Sequence, residues 1–108
     1  MIETVKIGPI VYCVKEKQDL HRLDDEGRKQ WLHGHVVFAD AEIRVADNQD
    51  AQVKISVVWD AALHAMIYAA GLDDSEFEPH IRALGYALVQ FVRDNPELMQ
   101  ITTQNEEK

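Results

Sequence analysis

The sequence predicts an α+β fold in which a small antiparallel sheet of about three strands packs on two helices. Short runs of β-branched and aromatic residues lie in its first half, at residues 4–16 and 36–45. Two longer stretches with helical periodicity and recognisable ends fill the second half. The 108 residues suffice for one domain with a small core. We expect that domain to span residues 1–98, followed by a polar tail over 99–108.

The predicted strands come first along the chain. Residues 4–16, TVKIGPIVYCVKE, predict an edge strand that is kinked or bulged where Gly8-Pro9 interrupts it. Residues 18–30 are polar and predict a mobile loop. Residues 36–45 predict a hairpin, because the apolar run VVF and the alternating EIRV flank the short turn ADA.

The helices follow. The first is expected over about residues 50–70 and ends at Gly71, a residue that commonly terminates helices. Ser75 and Glu78 predict a capping box at the start of the second helix, which should end at Asn95-Pro96. Apolar residues at helical spacing predict that one stripe of this second helix faces the core: Ile81, Leu84, Leu88, Phe91 and Val92.

The composition restricts the functional classes. The formal net charge of −8 disfavours direct nucleic-acid binding, since an acidic surface repels phosphates. It leaves open an acidic inhibitor of a host nucleic-acid-binding protein. Cys13 is the only cysteine, which excludes an internal disulfide or a cysteine-based zinc cluster, and we expect it to be a small buried side chain. Without a signal-like or membrane-spanning apolar run, a cytoplasmic location is expected.

One polar pair interrupts the first helix. The stretch VVWDAALHAMIYAAG, residues 57–71, carries Asp60 and His64 one turn apart. A helix bearing His-Glu-x-x-His places two imidazoles at positions i and i+4, where they bind one zinc ion. The adjacent glutamate then acts as general base on the bound water. Asp60 and His64 occupy that register, although a single matching histidine does not by itself specify a metal site.

The surrounding sequence adds several short signatures in a fixed order: GH and EIRV in the hairpin, Trp before the frame and Ala after it, then GLDD, RALGYAL and DNPEL. With this order of elements, residues 4–98 resemble the minimal zincin-like proteins of bacterial phages and prophages, which are similar to the peptidase domain of the ImmA/IrrE type. The resemblance implies a minimal zincin-like fold. It also implies a stretch like W-H-E-x-L-H-A in the first helix and an acidic third ligand just before A-L in the second.

The resemblance implies that the zinc site is degenerate. Only His64 matches a ligand; Asp60 stands in place of the first histidine, Ala61 in place of the general-base glutamate and Arg82 in place of the acidic ligand. Alanine accepts no proton, and a guanidinium has no lone pair to donate and repels a cation. We therefore expect a non-catalytic interaction protein, with no bound metal or cofactor, no nucleic-acid or membrane partner, an unknown protein partner and a possible homodimer.

Several alternatives stay open. Arg82 is expected either to pair with Asp60, with His64 hydrogen-bonded nearby, or to be solvated and paired with Glu78. A metal-dependent hydrolase with altered ligands would use Asp60 and His64 together with His80 or Glu78. His33 and His35 also share one face of a strand and could hold a metal if a third ligand were near.

Overall fold

The computed structural model describes residues 2–104, apart from the side chain of Asp74. It confirms the α+β class. Along the chain lie β1 (Thr4–Ile7), β2 (Ile10–Lys17), β3 (His21–Leu23), β4 (Lys29–Trp31), β5 (Gly34–Val37), β6 (Glu42–Ala46), α1 (Ala51–Ala69), α2 (Glu78–Asp94) and α3 (Pro96–Thr103).

The main sheet has four strands in the order β1-β2-β6-β5, one more than expected. The segment predicted as one kinked strand forms β1 and β2, because Gly8 adopts a φ of 58° and turns the chain back on itself. The predicted antiparallel pairing is wrong in one place, because β2 pairs with β6 in parallel. The β1–β2 and β5–β6 pairings are antiparallel, so the sheet is mixed. The β5–β6 pairing confirms the predicted hairpin over residues 36–45.

The predicted loop over residues 18–30 is wrong, because this segment contains the small antiparallel hairpin β3–β4. Its turn is built on Asp24, whose Oδ1 accepts the backbone N–H groups of Glu26 at 2.9 Å and Arg28 at 2.8 Å. Gly27 closes the turn at a φ of 80°. A polar hairpin of this kind buries too little apolar surface to show the alternation that predicts a strand.

The core lies between one face of the main sheet and α1. Ile43 and Val45 of β6 are completely buried and pack against the valines and alanines of α1. Ala61, Ala62 and Ala65 are buried on the sheet-facing side of that helix, and their small side chains let it approach the sheet closely. Cys13 points to the opposite side of β2 and is exposed, so its predicted burial is wrong.

The helix boundaries agree with the sequence better than their caps and faces do. Asp47, Asn48 and Asp50 each offer a helix N-cap in the sequence, and Asp50 is the one that caps α1, by accepting the Gln52 N–H at 2.9 Å. The predicted capping box is replaced by Asp73, whose Oδ1 accepts the Ser75 N–H at 3.0 Å ahead of a 3-10 turn. The predicted core stripe of α2 is confirmed only at Ile81, which is 2% exposed, whereas Leu84, Leu88 and Phe91 are exposed.

The last part of the chain extends away from the sheet. The radius of gyration is 15.2 Å, against about 13 Å for a compact domain of this length. Its principal extents are 56 × 32 × 24 Å. The helix α3 crosses the expected boundary between domain and tail, and residues 105–108 of that tail lie outside the described residues. No helix within residues 2–104 is long and apolar enough to cross a membrane.

Candidate functional site

A cleft of about 790 Å³ opens between α1, the first two turns of α2 and the strand β5. Charged, imidazole and aromatic side chains line it together with apolar ones. The polar and aromatic side chains among them include Trp31, Asp60, His64, Glu78, Arg82 and Tyr86. The cleft therefore contains every position at which the resemblance places the remains of a zinc site.

The helix α1 supplies the first set of these residues. Asp60 and His64 lie one turn apart and are partly buried, so both side chains project to the same side of the helix. Ala61, at the general-base position, is only 4% exposed and packs in the core while touching the cleft. Its methyl group offers neither a proton acceptor nor a metal ligand.

The helix α2 supplies the opposite wall. Arg82 acts electrostatically on Asp60 and lowers the pKa of that carboxyl, as does His64. Burial opposes and exceeds both effects, so the pKa of Asp60 lies above its usual range. Within residues 2–104, no ion pair within contact distance joins Asp60 to Arg82, so the direct pair expected from the sequence is replaced by an interaction at longer range.

Glu78, the expected alternative partner of Arg82, lies instead near His64. Glu78 Oε1 lies 3.8 Å from His64 Nε2, which makes a long ion pair whenever the imidazole is protonated. The Glu78 side chain is 70% exposed, so this contact is screened by solvent and contributes little to stability. Arg82 itself is exposed, as expected for a solvated arginine.

Residues 2–104, the Asp74 side chain aside, do not form a zinc site. Among the described residues, no three histidine, cysteine, aspartate or glutamate side chains converge in a group that could hold a metal. His80 is exposed on α2 and does not line the cleft, so it does not complete the altered ligand set with Asp60 and His64. The guanidinium of Arg82 adds a positive charge beside Asp60, which further disfavours a cation there.

The two histidines of the HGH motif, His33 and His35, make different contacts. His33 Nδ1 lies 2.6 Å from Gln49 Oε1, in a contact that ties the start of β5 to the loop before α1. His35 faces Arg44 on the neighbouring strand, and its pKa is lowered by burial and then by the charges of Arg44 and Arg22. A metal shared by these histidines is therefore not supported.

Sequence reasoning missed two features of this region. The His35 Nε2 atom is buried and has no hydrogen-bond partner among the described residues, a rare and costly arrangement for a polar atom. Gly85 gives Asp60 room, because a Cβ at that glycine would lie 2.5 Å from Asp60 Oδ1. The only sequence signal for the second was a glycine inside an otherwise strong helical pattern, which often indicates close packing.

Two exposed aromatic side chains border the cleft. Trp31 is 63% exposed. Tyr86 is 66% exposed, so the core position that the sequence predicts for this aromatic residue is wrong. The Trp31 ring is held by an edge contact with His21 at 5.7 Å and lies under the Lys29 ammonium at 5.4 Å. Exposed aromatic rings at a cleft rim can anchor a binding partner.

The strand β5 forms the remaining wall and is an edge of the main sheet, because its only neighbour in the strand order is β6. Its outer backbone groups can therefore pair with an added strand. The arrangement as a whole can bind through charged side chains, aromatic contacts and an unpaired strand edge. No protein-family profile, no curated protein and no solved structure shows significant similarity to this chain.

Proposed function

We propose that this chain is a non-catalytic, degenerate zincin-like domain of phage or prophage type that acts in the cytoplasm as an interaction protein. The observation that carries the proposal is the content of the cleft. Arg82 acts on Asp60 beside a buried alanine, where a hydrolase of this type would hold zinc and its base. The cleft is retained as a concave surface with aromatic residues at its rim.

The chemistry of the cleft supports binding over catalysis. Hydrolysis requires a base within hydrogen-bond reach of a water that a metal or another group activates. Ala61 removes that base, and Arg82 disfavours the cation. Asp60 is the remaining carboxylate of the frame; burial raises its pKa, and the charges of Arg82 and His64 oppose that rise without outweighing it.

An extended segment of another protein is the partner that fits these walls. The open edge of β5 offers backbone hydrogen bonds to an added strand. Side chains of that strand would reach the aromatic residues Trp31 and Tyr86 and the charged residues Asp60 and Arg82. Backbone pairing supplies affinity while the pockets supply sequence preference. The partner protein would thus be selected by apolar or aromatic residues flanked by charge.

Metal content is the first test. Purified untagged protein, dialysed against zinc, should retain well below one zinc per chain. A variant carrying Asp60→His and Arg82→Glu should retain more zinc than the unaltered chain, because it places two imidazoles one helical turn apart and removes the opposing positive charge. Stoichiometric zinc in the unaltered chain, lost on His64→Ala, would overturn the proposal.

Partner capture is the second test. Proteins from the host should be retained by the intact chain and lost with the Trp31→Ala, Tyr86→Ala double variant. Leu23→Ala is the matched control, since Leu23 is 62% exposed but does not line the cleft. Equal capture by all three chains would show that the cleft is not the binding surface. Capture of a nucleic-acid-binding protein that persists in the double variant and disappears at high salt would favour the acidic-inhibitor alternative.

A further inference from the structure

The outer flank of α2 is apolar and exposed, although its sequence pattern is that of a core-facing helix. Leu84 is 46% exposed, Leu88 37% and Phe91 47%. Their spacing of three and four residues places them on one face, and the exposed Ala87 lies among them. We call Leu84, Ala87, Leu88 and Phe91 the α2 apolar face. Leu98 and Ile101, on the adjoining helix α3, are likewise exposed, at 45% and 59%.

This face is separate from the cleft. At about 100° per residue, Leu84 and Leu88 lie roughly 120–160° around the helix from Arg82 and Tyr86, which line the cleft. A molecule bound to the α2 apolar face would therefore leave the cleft open. The inference drawn from this face goes beyond the proposed function and stands independently of it.

The charge pattern distinguishes this face from the remaining surface. Residues 83–92 contain no charged side chain, in a chain of which 28% is charged. Two copies with a net charge of −8 repel each other over most of their surfaces. An uncharged helix face is where such chains can meet with little electrostatic cost.

The helix also lacks the packing that normally stabilises it. Of the 17 residues in α2, only Ile81 and Gly85 are buried, and both lie in its first half. An isolated helical segment of about ten residues is marginal in water, because most helix stability in proteins comes from packing an amphipathic face. The second half of α2 and the attached α3 therefore need a cover that the chain itself does not supply within residues 2–104.

We propose that this cover is a second copy of the chain, and that the protein is a homodimer joined through the α2 apolar face. At roughly 150–200 Å² for a fully exposed residue of this size, the five large side chains expose on the order of 400 Å² per chain. A two-fold axis doubles that area, and with Ala87 and the polar rim the total reaches about 1,000 Å², the lower bound for a specific interface.

The composition of the face suits a two-fold contact. In an isologous interface the same patch meets itself, so its centre must tolerate close approach of two identical helices. Ala87 is the small residue of this face, three positions from Leu84 and four from Phe91, at the edge that these larger side chains leave low. Ridges formed by the large residues of one copy can enter the groove over Ala87 of the other.

Sedimentation equilibrium on the full chain tests the homodimer. At roughly 50 μM, above the dissociation constants of most specific interfaces, we expect a mass of twice the 12.3 kDa of one chain. Leu88→Lys and Phe91→Lys should each raise the dissociation constant at least tenfold and shift the mass to that of one chain. Lysine is chosen because it lowers the net negative charge, so a monomer would not result from added repulsion between acidic chains.

Gln90→Lys is the matched control. Gln90 is exposed on the same helix but roughly 110–160° around it from the centre of the face and from Leu88, and it should leave the dimer intact. Far-ultraviolet circular dichroism at the same concentration verifies that each variant is folded. If the lysine variants unfold, Leu88→Ser and Phe91→Ser replace them. A monomer at every concentration, or a dimer that persists in folded face variants, overturns the proposal.

Discussion

The α-carbon of Gly85 on α2 lies against the carboxylate of Asp60 on α1, and a Cβ added at that glycine would lie 2.5 Å from Asp60 Oδ1. Gly85 is helical and buried, so its role is to leave space between two helices and not to adopt an unusual backbone angle. Asp60 is thereby held partly buried, where loss of hydration raises its pKa. The glycine and the aspartate form one unit at the base of the cleft.

Gly85→Ala tests that coupling. Alanine should gain about 1 kcal/mol of helix propensity, but the added methyl should cost about 1–3 kcal/mol by displacing the Asp60 carboxylate. We expect a net loss of about 1 kcal/mol in the native background. In an Asp60→Ala background the same substitution should instead stabilise by about 1 kcal/mol. Urea unfolding of the four chains gives the coupling energy, and additive effects would contradict the packing relationship.

Asp60→Asn should change stability in a pH-dependent way. Because burial raises the pKa of Asp60 above 3.8, the folded state binds its proton more tightly than the unfolded state does. That contribution to stability is complete below pH 3.8 and is lost as pH rises through the folded-state pKa. Asparagine should therefore stabilise the protein near neutral pH, and the gain should shrink towards pH 3.8.

Thermal unfolding at pH 7, 5 and 4 measures this difference, with Arg82→Met as a second background. The Arg82 charge lowers the pKa of Asp60, so its removal should enlarge the gain from asparagine at pH 7. Arg82→Met by itself should cost less than about 1 kcal/mol, since the guanidinium is exposed. A stabilisation by asparagine that does not vary with pH would rule out burial of the charge as its cause.

The elements with strong local signals could be predicted from the sequence. The N-cap at Asp50, the end of α1 before Gly71 and the hairpin over residues 36–45 each follow from a few neighbouring residues. The parallel pairing of β2 with β6 could not be predicted, because it joins residues about 30 positions apart. Nor could the exposure of α2, since periodicity identifies an apolar face without identifying what covers it.

The candidate site shows the same division. The register of Asp60 and His64 placed both residues on one side of a helix, and the structure agrees. The distance between Arg82 and Asp60 depends on how closely α1 and α2 approach, and that is set by Gly85. A small shift of α2 along α1 would bring the two charges into contact or move them further apart. Residue types alone therefore did not determine whether Asp60 and Arg82 would form a direct pair.

His35→Leu should stabilise the protein, and by more in acid. The buried Nε2 atom without a partner costs about 1–3 kcal/mol. Burial also lowers the pKa of His35 below 6.5, so the unfolded state binds a proton that the folded state does not. Stability from the neutral imidazole is therefore complete above pH 6.5 and is lost as pH falls below it.

The gain from His35→Leu should be about 1 kcal/mol at pH 7.5 and larger at pH 5.5. Chemical denaturation at the two pH values measures it. His80→Leu is the control, because it makes the same replacement at an exposed histidine. A gain that decreases towards pH 5.5 would mean that the folded state favours the protonated imidazole, contrary to its surroundings of Arg44 and Arg22.

Gly34→Ala should be the most damaging of the single-methyl additions. A Cβ at Gly34 would overlap the Val57 side chain and would lie 2.8 Å from the Arg44 carbonyl oxygen. Gly34 has no positive φ, so the cost comes from packing of β5 against α1 and β6 and not from backbone strain. Overpacking of this kind costs about 1–3 kcal/mol.

Val57→Ala should relieve the contact with α1 but not the one with the backbone of β6. The double variant should therefore recover only part of the loss in urea unfolding, and complete recovery would show that β5 moves freely relative to β6. Because β5 is the edge that borders the cleft, Gly34→Ala should also weaken partner capture, by shifting the strand that an added segment would pair with.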